Sequence, residues 1–97
     1  MNNTMTKEQE ALYKHIDEIL FYKWDPIGIS SGNWPRNEYE SYLPKVYSLV
    51  VTNSEPSIIV DYLTQSRARM GLSESLTKDT EITELLLLIR KNYFEKV

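Results

Sequence analysis

The sequence predicts an all-α fold, a compact four-helix bundle with a long ordered loop between helices one and two, and three observations predict it. Apolar residues recur at spacings of three and four along most of the chain, the pattern of helices that bury one face. Capping and stop residues divide those stretches into four. Alternation with a period of two does not extend over any useful length, so a sheet has no support.

Helix one is expected over about 7–23. Thr6-Lys7-Glu8-Gln9 is a capping-box pattern, in which the Thr hydroxyl and the Gln side chain each satisfy a backbone N–H of the first turn. Leu12, Ile16, Ile19 and Leu20 share one face, and the stem of Lys23 extends it. Pro26 disfavours helical geometry at Asp25 and ends the run. Residues 24–37 then carry Asp-Pro, Gly28, Ser30-Ser31-Gly32-Asn33 and Trp-Pro, a density of turn formers that predicts a loop. Loops beyond about 12–15 residues are uncommon in small domains and are often functional. Two tryptophans predict that this one is packed by its own side chains.

Helix two is expected over about 38–52, with Asn37 as cap and Glu40 completing a box. Pro44 predicts a short turn through Tyr42 and a restart with the proline in a first-turn position. Helix three, over about 55–70, follows a Ser54 cap and Pro56, and its apolar face is Ile58, Ile59, Tyr62, Leu63, Ser66 and Met70. Gly71 ends it, and Arg67 and Arg69 suit the negative end of its dipole. Helix four, over about 78–94, has Asp79 and Glu81 in its first turn and buries Ile82, Leu85, Leu86, Ile89 and Tyr93. Leu87 and Leu88 widen that face, so this helix should be central or should expose a patch for another chain.

With 97 residues, 41% of them hydrophobic, the chain is expected to form one domain over 1–97. The absence of cysteine excludes disulfides, thiolate nucleophiles and cysteine-ligated metals, and it fits a reducing compartment. A polar N-terminus without an export signal makes the cytoplasm the expected location. The apolar run 85–89 is far short of the ~20 residues that span a bilayer, so no membrane helix is expected. A net charge of −3 provides no field for a polyanion, and direct nucleic-acid binding is not expected.

Catalytic chemistry finds little support. His15, the sole histidine, falls at the edge of the core face of helix one, and Asp17, Glu18, Asp25, Glu38, Glu40 and Asp61 read as solvated helix and loop positions. A calcium loop from Asp25 fails at Arg36, where the closing Glu should stand, and a phosphate cradle at Gly28 and Gly32 lacks Gly-Lys-Ser/Thr. No catalytic, metal-binding or cofactor-binding residue is therefore assigned, and the chain is expected not to be an enzyme. The aromatics leave two readings open. Trp24 should be buried, whereas Trp34, Tyr39, Tyr42 and Tyr47 could form a small core beneath the loop or, with Glu38, Glu40 and Asp61, an aromatic surface with an acidic rim.

Trp24-Asp25-Pro26-Ile27-Gly28, Asn37-Glu38-Tyr39-Glu40-Ser41-Tyr42-Leu43-Pro44, Asp61-Tyr62-Leu63 and Met70-Gly71-Leu72 together resemble a group of small bacterial proteins of similar length. In that group a Trp-Asp-Pro-Ile-Gly loop precedes an Asp/Glu-Glu-Tyr-Asp-Ser-Tyr segment and a helix ending in Met-Gly-Leu. The likeness covers roughly residues 12–72, with departures at Asn37, where the group more often has an acid, and at Pro56. Similar small acidic helical proteins serve as immunity proteins in toxin–immunity modules, including contact-dependent growth inhibition. The resemblance implies a non-enzymatic protein that neutralises a cognate bacterial protein toxin, a basic nuclease domain among the candidates; the chain itself is expected to be a monomer or weak homodimer. Occlusion of the toxin's active site would then use Trp34, Glu38, Glu40, Tyr42 and Asp61. The alternatives are an adaptor or regulatory protein that dimerises through Leu85–Leu88 and Ile89, and a small hydrolase built on His15 with Asp25 and Glu38.

Overall fold

A computed structural model of the chain describes residues 5–29, 32 and 35–94. Helix α1 runs over Lys7–Glu18, and its capping box is complete: Gln9 N–H donates to Thr6 Oγ1 at 3.0 Å while Thr6 N–H donates to Gln9 Oε1 at 2.9 Å. The helix continues as a π-helical segment over Ile19–Trp24, closed by Asp25 N–H donating to the Leu20 carbonyl at 3.0 Å. A π turn holds more residues than an α turn. Ile19, Leu20, Phe21 and Trp24 consequently all enter the core, and Tyr22 and Lys23 remain exposed. A period of 3.6 does not place Phe21 inside; Lys23 is exposed and lies beside Ile19 in a surface depression.

A 3-10 turn, Glu40–Tyr42, leads directly into α2, Leu43–Val51, with Pro44 in its first turn. The expected Asn37–Glu40 box does not form; Asn37 contributes its backbone carbonyl to Glu40 N–H at 3.0 Å, and the helical run starts at Glu40 rather than 38. Helix α2 ends in a Schellman motif: Asn53 adopts φ 58°, Asn53 N–H bonds the Val50 carbonyl at 2.9 Å and Ser54 N–H the Leu49 carbonyl at 3.0 Å. Helix α3 spans Pro56–Arg69 and closes the same way, with Gly71 at φ 77° and Leu72 N–H on the Arg67 carbonyl at 3.0 Å. Ser54 does not cap it. Glu55 holds that position, and the Ser54 hydroxyl lies 3.2 Å from that of Thr52. Helix α4, Leu76–Phe94, opens ahead of the expected residue 78.

The four α-helices pack as an all-α bundle, and no strand occurs among the described residues. Helix α4 packs against α1, α2, α3 and the π segment, and α2 likewise meets the other three α-helices. The core is built on Leu12, Ile16, Leu20, Trp24, Val46, Val50, Ile59, Leu63 and Leu86, where each aliphatic side chain taken from water contributes about 1.5–3 kcal/mol. The leucine run of α4 divides: Leu86 is buried, Leu85 and Leu87 are half-buried, and Leu88 is 55% exposed. On α3, Ile58 is 49% exposed rather than part of the buried stripe. No helix among the described residues is long and apolar enough to cross a membrane.

Candidate functional site

The connection between the π segment and α2 is organised around one carboxylate. Asp25 takes the left-handed conformation, φ 34°, that ends the helix, and its Oδ1 accepts from Ile29 N–H at 2.9 Å and from the Tyr39 hydroxyl at 2.7 Å. Tyr39 Oη in turn accepts from Ile27 N–H at 3.0 Å. Gly28 at φ 80° completes the turn, with its N–H on the Asp25 carbonyl at 3.1 Å. Ile29 and Tyr39 are buried, so the loop is pinned at both ends of its inner half. Burial foremost, then the hydrogen bond to the Asp25 carboxylate, pushes the Tyr39 phenol far above the ordinary tyrosine range.

Beneath this loop lies a buried polar cluster. Trp24 Nε1–H donates to Asp79 Oδ1 at 2.8 Å, Thr64 Oγ1–H to Asp79 Oδ2 at 3.0 Å, and Arg67 Nε–H reaches both carboxylate oxygens at 2.9 and 3.0 Å. The Arg67 guanidinium also stands 5.8 Å from the Trp24 ring centroid. Asp79 is fully buried and Arg67 nearly so, hence neither is the solvated dipole-end charge that helix position suggests. One signal for them was present. Asp79 lies three and seven residues before Ile82 and Leu86, and Arg67 four after Leu63, which places both on the buried stripes. A buried tryptophan also needs an acceptor for its indole N–H, and Asp79 meets that need.

Residues 35–38 and Glu40 face solvent. Glu38 and Glu40 are exposed on the turns that follow Pro35, and Arg36 stacks at 4.4 Å on the Phe21 ring and 5.2 Å on Tyr22 while pairing with Asp17 at 3.3 Å. Asp17, Arg36, Asn37 and Glu40 line a shallow depression of about 240 Å³. Tyr13 lies within the field of that acidic rim: burial first, then Glu40 and Asp17, raise its phenol above the usual value. Its ring meets Tyr47 edge-on at 5.1 Å.

The structure separates the five residues expected to make contacts. Glu38 and Glu40 share the exposed turn. Tyr42 is half-buried, its ring edge-on to Trp24 at 6.3 Å, and so belongs to the packing under the loop together with Tyr39, 5.7 Å from the same indole. Asp61 lines a different depression, of about 280 Å³, with Lys45, Leu49, Ile58, Tyr62 and Gln65. Trp34 lies outside the described residues. His15 is half-buried, with Nδ1 3.3 Å from the Tyr93 hydroxyl. Among the described residues no group of three or more His, Cys, Asp or Glu side chains is placed to hold a metal ion. No protein-family model, curated protein or solved structure matches this chain.

Proposed function

We propose that the protein is an immunity protein that binds a cognate bacterial toxin and bars substrate from its active site. The observation that carries this reading is the division of the 24–42 connection. Its inner half is fixed by the Asp25–Tyr39 hydrogen bonds, and its outer half holds Glu38 and Glu40 exposed on turns that need not be ordered on binding. Such a preorganised acidic edge, next to the Asp17–Glu40 depression, complements a basic active-site cleft and speeds encounter with it. Glu38 and Glu40 are its centre. Trp34 and Tyr42 adjoin them in the chain, and Asp61 lies apart from them in the α2–α3 depression.

The test is co-expression with the product of the adjacent upstream gene. The wild-type chain is expected to protect the host and to co-purify with that product. A Glu38→Lys/Glu40→Lys variant should bind at least about tenfold more weakly, mainly through slower association, with unchanged unfolding. A neighbouring product that neither binds nor harms the host refutes the reading. The adaptor alternative, dimerising through the leucines of α4, has less support, because Leu88 is exposed on a helix whose residues 81, 84, 91 and 92 are exposed Glu, Glu, Lys and Asn.

A further inference from the structure

The depression between α2 and α3 combines apolar side chains with charges of both signs. Its lining brings together three apolar side chains, Leu49 of α2 and Ile58 and Tyr62 of α3, with Lys45 on the α2 wall and Asp61 and Gln65 on the α3 wall. Ile58 is 49% exposed, although it stands next to fully buried Ile59. Lys45 and Asp61 have no ion-pair partner within the chain among the described residues. An occupant of this groove must bring an aliphatic side chain to the apolar residues, an acid to the Lys45 wall and a base to the Asp61 wall.

A second copy of the chain brings all three. A two-fold axis running along the groove places α2 of one protomer over α3 of its partner, so that the same patch meets itself. Lys45 then faces the partner's Asp61, the partner's Lys45 faces Asp61, and the Ile58 side chains meet the opposing apolar residues. We propose that this face of α2 and α3 is the surface of a weak isologous homodimer. Asp61 acts there between copies of the chain rather than on a toxin. The proposal is independent of the immunity reading, whose acidic edge lies on other residues. The apolar lining is small and its charges are rim-exposed, so the association is weak, with a Kd of about 100 μM to 1 mM.

Sedimentation equilibrium of the full chain up to about 1 mM is expected to show a monomer–dimer equilibrium in that range. Ile58→Asp should weaken it at least about tenfold; this position is in the first turn of α3, where an acid suits the helix, and far-UV circular dichroism will report the retained fold. Lys45→Glu and Asp61→Lys should each weaken dimerisation about threefold to tenfold, and the double exchange should restore it to within about twofold, because opposite charges again face each other. A chain monomeric throughout this range overturns the proposal. So does a dimer indifferent to Ile58→Asp or not rescued by the exchange, which would place the interface elsewhere. Loss of toxin binding by Ile58→Asp in a monomeric protein would assign the groove to the toxin and likewise overturn self-association, whereas failure of toxin binding alone leaves the dimer standing.

Discussion

Two arginine–aspartate pairs with similar distances hold the two sides of the long connection, and they do so by different physics. Beneath the loop, Arg67 and Asp79 meet at 2.9 Å with side chains 8% and 0% exposed, and Trp24 and Thr64 complete the carboxylate's shell. On the loop's outer face, Arg36 and Asp17 meet at 3.3 Å with side chains 42% and 38% exposed. The inner pair has surrendered its hydration, so each member depends on the other, and removing one leaves an uncompensated buried charge. Water and salt can replace the outer pair at small cost. A charge pair therefore fixes the fold where it is enclosed, and leaves a surface adjustable where it is not.

The largest expected effect breaks the inner pair. Asp79→Ala should cost about 3–5 kcal/mol in urea unfolding, because Arg67 and the Trp24 indole N–H are left buried without their acceptor. A cost below about 1 kcal/mol would show that the cluster is not closed to water. Trp24→Phe should cost about 2 kcal/mol, from lost volume and one lost donor to Asp79, and Arg67→Met combined with Asp79→Leu should recover much of the stability that Asp79→Ala loses.

Next comes the loop latch. Tyr39→Phe removes the donor to Asp25 and the acceptor of Ile27 N–H, and should cost about 1–2 kcal/mol. Its pH signature follows from the raised phenol. The unfolded tyrosine ionises near the ordinary 10.0 while the native one stays protonated, so the unfolded state binds fewer protons above that pH. Stability should fall as pH rises beyond about 10, and Tyr39→Phe should flatten that fall, with Tyr13 and Tyr47 supplying the remainder. An unchanged alkaline limb in the variant would place the titrating group elsewhere.

Thr83 is a smaller counterexample to the satisfied inner cluster: it is fully buried, and its hydroxyl has no hydrogen-bond partner among the described residues. Thr83→Val should raise stability by up to about 1 kcal/mol in thermal unfolding. The outer pair gives the smallest effect. Asp17→Asn should change stability by no more than about 0.5 kcal/mol at low salt, and the difference should vanish in about 0.5 M NaCl. A larger, salt-resistant loss would mean that Arg36 is clamped to the Phe21 and Tyr22 rings through Asp17, and that the edge is stiffer than its exposure implies.

Much of the frame was legible because its signals are local. The Thr6–Gln9 box, Pro44 at a helix start and Gly71 at a helix end each express backbone sterics or a hydrogen bond within a few residues. Legibility failed where local choices compete. Asn37 and Ser54 are good caps by residue type, yet the turn after Pro35 and the Schellman motif at Asn53 already commit their backbones. The candidate site was legible in composition and not in layout: Glu38 and Glu40 share a turn, but Asp61 belongs to another groove and Tyr42 to the packing under Trp24.

What the sequence by itself determined is the set of helices, their order and the aliphatic positions at the middle of each buried face, because helical periodicity and capping are properties of neighbours in the chain. Tertiary structure decided the π segment that turns Phe21 inward beside Trp24, and it decided the pairing of Asp79 with Arg67 and the Trp24 indole, although helical spacing already set both charges on buried stripes. Those outcomes depend on contacts across as many as 55 residues, where one indole N–H requires one carboxylate and that carboxylate requires a cation.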